Sequence, residues 1–238
     1  MIAIVVPAHD EESLIAQCLH SLRVAARCPQ LRGEAVHVVV ALDSCSDGTE
    51  AIARRMGAHC VAVQARNVGM ARAAGAQAAM SAGARWLAFT DADSEVAPDW
   101  MSQQLAQRSD AVCGTVQVRD WSGHGVQVQR HFHDTYQDRD GHRHIHGANM
   151  GVSTRAYQRA GGFAPLACSE DVALVHALQA CGERIAWSAA PRVTTSARRH
   201  YRAAGGFGAT LERMAQQPFP QAAQMSMHMP GEAQGRPC

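Results

Sequence analysis

The chain has 238 residues, 47% of them hydrophobic and 18% charged, proportions that suit one compact globular domain with at most a small appendage. Folding a chain of this size buries roughly 70–75% of its unfolded surface, so neither a disulfide framework nor a structural metal is required. Twenty-two basic against 21 acidic residues leave a formal charge of +1, too balanced for a nucleic-acid-binding surface, and because every basic residue is Arg, Schiff-base chemistry on a lysine is excluded.

Met1 leads directly into Ile2 to Val6, five apolar residues closed by Pro7. That run is too short for a leader or a membrane span and reads as a strand buried on both faces. Leu14, Ile15, Cys18, Leu19 and Leu22 follow the i, i+3, i+4 rhythm of a helix. Val36 to Leu42 repeats the apolar run, and shorter ones recur at Cys60 to Val63 and Trp86 to Thr90. An Ala-rich helix from Met70 to Ala82 stops at Gly83. Strand and helix alternating in this way predict an α/β domain: a Rossmann-like, mostly parallel sheet flanked by helices, with a ligand crevice at the carboxyl ends of the strands.

From about Val112 the pattern is less regular. A His-rich stretch precedes a Gly161-Gly162 turn, a helix over Ser169 to Ala180 and a strand near Ile185 to Ser188, which complete the sheet and form the cleft's second wall. From about Gln216 the chain is rich in Gln, Met and Pro with little periodicity, the composition of a tail without a packed core. No apolar run reaches about 18 residues, so membrane contact would be peripheral. Eight Cys without a C-x-x-C pair speak against a zinc knuckle or a thioredoxin-type motif and fit a reducing, cytoplasmic setting.

The polar residues collect after the strands. Asp91 and Asp93 follow the fourth, and on an extended chain residues two apart point to the same side. Two carboxylates on one face repel unless a cation joins them, and hard oxygen ligands suit Mg²⁺ or Mn²⁺, which take their remaining ligands from water and substrate phosphates. Asp43 closes the second strand, where a nucleotide crevice places a carboxylate for a base N–H or ribose hydroxyls. Asp47-Gly48-Thr49 reads as a turn and helix cap. Arg66, Asn67, Gly69 and Arg72 enter a helix, where backbone N–H groups and guanidinium can meet phosphate.

Taken in order, Pro7-Ala8-His9-Asp10-Glu11-Glu12, Asp43 to Thr49, Arg66-Asn67-Val68-Gly69, Asp91-Ala92-Asp93, Gly147-Ala148-Asn149 and Glu170-Asp171 resemble the ordered motifs of family 2 glycosyltransferases of GT-A fold, over roughly residues 1 to 200. The resemblance implies inverting transfer of a sugar from a nucleotide-diphosphate donor, UDP being the commonest base, to an acceptor hydroxyl, with Mn²⁺ or Mg²⁺ as cofactor. It implies that Pro7, Ala8, His9, Glu11, Asp43, Arg66, Asn67, Arg72, Asp91 and Ala92 surround the nucleotide and that Asp93 is the main metal contact beside Asp91. Asp171 would be the base, with Glu170 beside it, and Gly147, Ala148 and Asn149 would meet the acceptor. A GT-A domain is expected over 1–214, its nucleotide half 1–110 and its acceptor half 111–214, followed by a tail over 215–238. Three departures stand out: Leu42 where a first Asp often precedes Asp43, His9-Asp10 for the frequent Tyr-Asn, and a short loop from Arg66 to Gly75.

An inverting displacement needs one carboxylate to take the acceptor proton opposite the leaving diphosphate. Glu170-Asp171 opens a helix, whose positive end favours ionisation or simple capping. His142, His144 and His146 share a face if extended and could bind a transition metal; alternatively they line the acceptor side, with His146 near the metal or diphosphate. Arg198, Arg199 and Arg202 could close over a diphosphate or meet anionic lipid as a basic face. Two other readings use the same acids: a nucleotidyltransferase, disfavoured by the acidic loop after the first strand, and a catalytically silent nucleotide-sugar or metal-binding module. A dinucleotide oxidoreductase is a poorer reading still, because no G-x-G-x-x-G follows Ile2 to Val6.

Overall fold

The computed structural model describes residues 1–198 and 206–216. Its sheet has the order β3-β2-β1-β4-β7-β6-β8-β5. The strands are β1 (Ile2–Ala8), β2 (Val36–Asp43), β3 (His59–Val63), β4 (Trp86–Phe89), β5 (Glu95–Val96), β6 (Ala111–Val118), β7 (Met150–Ser153) and β8 (Ile185–Thr195). β1 pairs in parallel with β2 from Ile2↔Val36 and with β4 from Ile2↔Trp86. Along β1, Ile2, Ile4 and Val6 enter one core while Ala3 and Val5 enter the other. Side-chain alternation thus explains the unbroken apolar run, since both faces are covered.

Helices α1 (Ile15–Ala25), α2 (Thr49–Arg55) and α4 (Trp100–Ala106) cover the first face. The second is covered by α3 (Val68–Ser81), α6 (Thr154–Arg159) and α7 (Glu170–Ala180). The Ala-rich α3 lies close on the sheet: a Cβ on Gly75 would come 2.5 Å from Val5 Cγ1, and one on Gly69 would come 2.4 Å from the Ala164 carbonyl oxygen. Small residues therefore set the depth at which the start of α3 meets the loop that leads into α7.

The second half is more regular than its sequence suggests. β7 runs antiparallel to both β4 and β6, so the sheet is mixed, and β8 continues well past Ser188 to Thr195. Between Gly114 and Thr115 the register of β6 on β8 jumps from Ser188 to Arg192, and such a bulge strands backbone carbonyls. The Asn149 amide collects them: Nδ2 donates to Thr115 O at 2.7 Å and to Pro191 O at 2.8 Å, while Oδ1 accepts from Trp100 Nε1 at 2.8 Å. A Cβ on Gly114 would come 2.2 Å from that amide, which is why glycine stands there.

Helices α5 (Val126–Thr135) and α8 (Phe207–Gln216) pack together over a third, smaller core of Trp121, Val128, Phe132 and Leu211. Among the described residues no helix is long and apolar enough to cross a membrane. The expected lid residues Arg199 and Arg202, and the expected tail beyond Gln216, lie outside the described residues.

Candidate active site

The loops at the carboxyl ends of β1, β2, β3 and β4 open into one cavity of about 770 Å³. Pro7, Ala8, His9, Glu11, Asp43, Arg66, Asn67, Arg72, Asp91, Ala92, Asp93, His146, Gly147, Ala148, Glu170, Asp171 and Arg198 all line it. Of the described residues expected at the site, Asn149, His142 and Gly69 are absent from its walls. At 1% exposure, Asn149 is committed to the β6–β8 bulge and faces the sheet interior, which corrects its expected acceptor role.

The β1–α1 and β2–α2 loops are tied together by polar contacts. Asp10, at φ 50°, accepts from the Ser46 backbone N–H at 2.6 Å. Glu12 accepts from the Gly48 N–H at 2.7 Å, and the Glu11 N–H donates to Thr49 Oγ1 at 2.7 Å. Asp47 caps the start of α2 by accepting from the Thr49 N–H at 2.9 Å. Asp43 has a local duty as well: its carboxylate accepts the backbone N–H groups of Ala65, Arg66 and Asn67 at 2.7–2.8 Å. Burial works against its charge, yet those three donors hold its pKa below the ordinary carboxylate value. Asn67 caps α3 through the Met70 N–H at 3.0 Å, and His9 Nδ1 donates to the Asp43 carbonyl at 2.6 Å.

β4 ends at Phe89, and Asp91 to Ser94 form a turn closed by a 3.1 Å bond from Ser94 N–H to Asp91 O. The strand alternation that would aim both acids the same way therefore does not apply. Asp91 accepts from Arg72 Nη2 at 2.5 Å; Asp93 lies 3.2 Å from Arg198 Nη2. Burial, with the Asp91 charge next, pushes Asp93 up to about 7, and Arg198 only partly offsets this. Two close carboxylates still short of positive charge are a fit for a hard divalent ion, which needs one or two such ligands and completes its shell with water and phosphate oxygens.

Glu170 is not poised as a base. It is 4% exposed and ion-paired to Arg72, itself 4% exposed. Asp171, one residue on, faces the cavity with its Oδ2 accepting from the Gly147 N–H at 2.8 Å and Oδ1 from the Val172 N–H at 2.8 Å. Gly147 opens a single 3₁₀ turn, Gly147–Asn149, and its missing side chain serves Arg72, because a Cβ there would come 2.4 Å from Arg72 Nη2.

His146 does not join Asp91 and Asp93. Its Nε2 is 2.9 Å from the Tyr136 hydroxyl, which accepts in turn from the Val116 N–H at 2.8 Å. That contact occupies Nε2, which is therefore not free for a metal. Burial, followed by the neighbouring His144 and His142, lowers His146 to about 3. Among the described residues no group of three or more His, Cys, Asp or Glu could hold a metal ion, which also removes the transition-metal reading of the three histidines. They form a ladder instead: His144 stacks on Tyr136 at 4.1 Å, and Phe132 stacks on Tyr136 at 4.6 Å.

Sequence reasoning missed Tyr136, Phe132, Phe207 and Leu211, which line the far end of the cavity. Their one signal was the spacing of Val128, Phe132 and Tyr136 at successive helical turns.

The family described as Glycosyl transferase family 2 matches residues 3–161. The chain belongs to that family. As expected of a family 2 glycosyltransferase, its fold is that of GT-A enzymes. Staphylococcus aureus TarS, solved in complex with UDP-GlcNAc, has a TM-score of 0.61 at 16% identity over 84% of this chain and 60% of the other. A mannosyltransferase of Pyrobaculum calidifontis in complex with GDP-Man and Mn²⁺ has a TM-score of 0.59 at 17% identity, over 84% of this chain and 57% of its own. A mycobacterial protein gives 0.57 at 18% identity over 91% and 71%. The family 2 chain thus spans about 60% of the TarS structure. No curated protein matches it in sequence.

Proposed function

We propose that this family 2 member moves a sugar from a nucleotide-diphosphate donor to an acceptor hydroxyl with inversion, using Asp171 as the base and Asp93, with Asp91, as the seat of Mn²⁺ or Mg²⁺. The observation that carries the reading is that Asp93 and Asp171 line one cavity. UDP-GlcNAc and GDP-Man complexes among the structural relatives support a nucleotide-sugar donor, and the Mn²⁺ in one of them supports the metal. When bound, the divalent ion neutralises charge developing on the leaving diphosphate.

The chain's own residues do the rest. Pro7, His9, Asp43 and the 65–67 loop bound the nucleoside end, and Asp43 keeps that loop in place. Arg72 is held by two carboxylates and lends positive charge at the floor of the site. Asp171, fixed by two backbone N–H groups, keeps lone pairs for the acceptor proton, which it takes as the hydroxyl attacks the anomeric carbon on the face opposite the diphosphate. The acceptor enters along Gly147, Ala148 and the aromatic wall of Tyr136, His144 and Phe207. His144 and His146, held neutral by burial, present hydrogen-bonding groups without charge. Seven free cysteines among the described residues accord with a cytoplasmic setting.

A thermal-shift screen of UDP, GDP, CDP and dTDP with Mn²⁺ identifies the base, since a ligand at 100 times its Kd stabilises by about 2.7 kcal/mol. Incubation with the matching nucleotide sugar then separates the reactions. Release of nucleoside diphosphate supports glycosyl transfer, formation of nucleoside triphosphate and sugar 1-phosphate once pyrophosphate is added indicates nucleotidyl transfer, and binding without turnover indicates a silent module.

A further inference from the structure

We infer that Glu11 is a positioning residue that holds Arg198 against Asp93 as a resident counter-cation, so that the divalent ion enters together with the nucleotide rather than ahead of it. The inference rests on the nucleotide-sugar reading above. Arg198 follows β8 by three residues and reaches across to the first loop of the chain, where its two terminal nitrogens bond the two Glu11 oxygens at 2.6 and 2.5 Å. Glu11 is itself anchored. Its carbonyl accepts the Leu14 and Ile15 N–H groups that begin α1, its own N–H is on Thr49, and its side chain is 6% exposed. The bidentate grip fixes the guanidinium in one orientation, and in that orientation Nη2 sits 3.2 Å from Asp93 Oδ2.

The charges then determine the order of events. Glu11, Asp91, Asp93 and Glu170 are four acids facing two arginines, Arg72 and Arg198, so with all ionised the cluster is short of two positive charges, the charge of one divalent ion. Arg72 is 4% exposed and held by two carboxylates, whereas Arg198 is 25% exposed and is the cation able to shift. A metal arriving alone must compete with Arg198 for Asp93 and offers the guanidinium no new partner. A metal arriving with a diphosphate supplies phosphate oxygens to which Arg198 can turn while Glu11 keeps it in range. Metal and nucleotide affinities are thereby coupled, and coupling is reciprocal.

The test titrates Mn²⁺ without nucleotide, read from the signal of free Mn²⁺ in electron paramagnetic resonance, and UDP or GDP with and without Mn²⁺ by calorimetry, on wild type, Arg198→Gln, Arg198→Lys and Glu11→Gln. Arg198→Gln is expected to bind Mn²⁺ alone about tenfold more tightly than wild type and to lose a similar factor from the Mn²⁺-induced gain in nucleotide affinity, within the roughly 5- to 150-fold range of such couplings. Glu11→Gln is expected to weaken that gain as well, although Arg198 is intact, and Arg198→Lys to restore part of it. Mn²⁺ binding alone that is no tighter in Arg198→Gln than in wild type overturns the inference, as does a wild type that binds Mn²⁺ equally with and without nucleotide. Failure of wild type to bind any nucleoside diphosphate overturns the functional reading on which it rests.

Discussion

The acids at 170 and 171 are adjacent but held differently, one in a buried ion pair and one on backbone N–H groups, and substituting each in turn tests the separate roles proposed for them. Glu170→Gln removes one partner of a buried ion pair whose members are 4–5% exposed, leaving Arg72 with Asp91, at 2.5 Å, as its remaining charged contact. Breaking a buried pair from one side costs about 3–5 kcal/mol; the glutamine still offers an oxygen to Arg72, so the lower end, about 3 kcal/mol, applies. For a domain of this size each kcal/mol moves Tm by roughly 2–4 °C, which predicts a fall of about 6–12 °C. Asp171→Asn leaves an oxygen for one of the two backbone donors and disturbs no ion pair, so its Tm is expected within about 3 °C of wild type, while turnover falls by roughly 10² to 10⁴. The measurements are calorimetric melting and release of nucleoside diphosphate well below the melting range of each protein. A Glu170→Gln protein that melts with wild type yet loses turnover as severely as Asp171→Asn would show that Glu170 acts on the substrate and that the assignment is reversed.

Asp43→Asn frees the 65–67 loop and is expected to cost about 1–3 kcal/mol at pH 7. Because the folded pKa of Asp43 is lowered, the wild-type advantage is present above the unfolded value near 4 and disappears as pH falls through the folded one; a deficit in Asp43→Asn that persists undiminished at pH 2.5 would contradict the loop-clamp role. Asp93→Asn is expected to abolish the extra thermal stabilisation that Mn²⁺ confers on the nucleotide complex, and retention of that increment would remove Asp93 as the metal seat. Gly147→Ala forces a methyl to within 2.4 Å of Arg72 and is expected to cost about 1–3 kcal/mol, visible as a lower urea midpoint; an unchanged midpoint would mean that Arg72 is not wedged there. Asn149→Ala leaves the Thr115 and Pro191 carbonyls and the Trp100 N–H without their partner and is expected to destabilise by about 3 kcal/mol or more, with wild-type nucleotide affinity in the folded fraction.

Local pattern carried a good deal of this site. Apolar runs at residues 2–6 and 36–42 located the central strands because a strand buried on both faces leaves a periodicity signal that no tertiary contact has to supply. The acids that follow them were legible for the same reason, since polar residues just after such a strand must sit at its carboxyl end. What stayed hidden was pairing. Arg72 and Glu170 are 98 residues apart and Arg198 and Glu11 are 187 apart, and nothing in their neighbours announces the partner. Asp91 and Asp93 were expected on one face because the strand was extended by one residue too many; a chain that turns after Phe89 obeys hydrogen-bond geometry in place of alternation. Asn149 shows the same limit, because a bulge between two distant strands creates its need for an amide, and that need exists only once β6 and β8 have met.

Those hidden pairs explain how one pocket can concentrate Glu11, Asp91, Asp93, Glu170 and Asp171 without the fold repelling itself apart. Like charges at such density are tolerated only where cations are fixed among them, and the two arginines that do this are held to different degrees. Arg72, walled in by Gly147 and clasped from two sides, belongs to the permanent structure. Arg198, gripped at one end and partly open to solvent, can change partners. Asp171 stands apart from both, bonded only to backbone N–H groups in the contacts that define it, and so keeps a carboxylate whose remaining lone pairs are not spent on a guanidinium. The base role proposed for Asp171 requires that freedom, and the neighbouring acid, Glu170, is the one committed to the buried arginine.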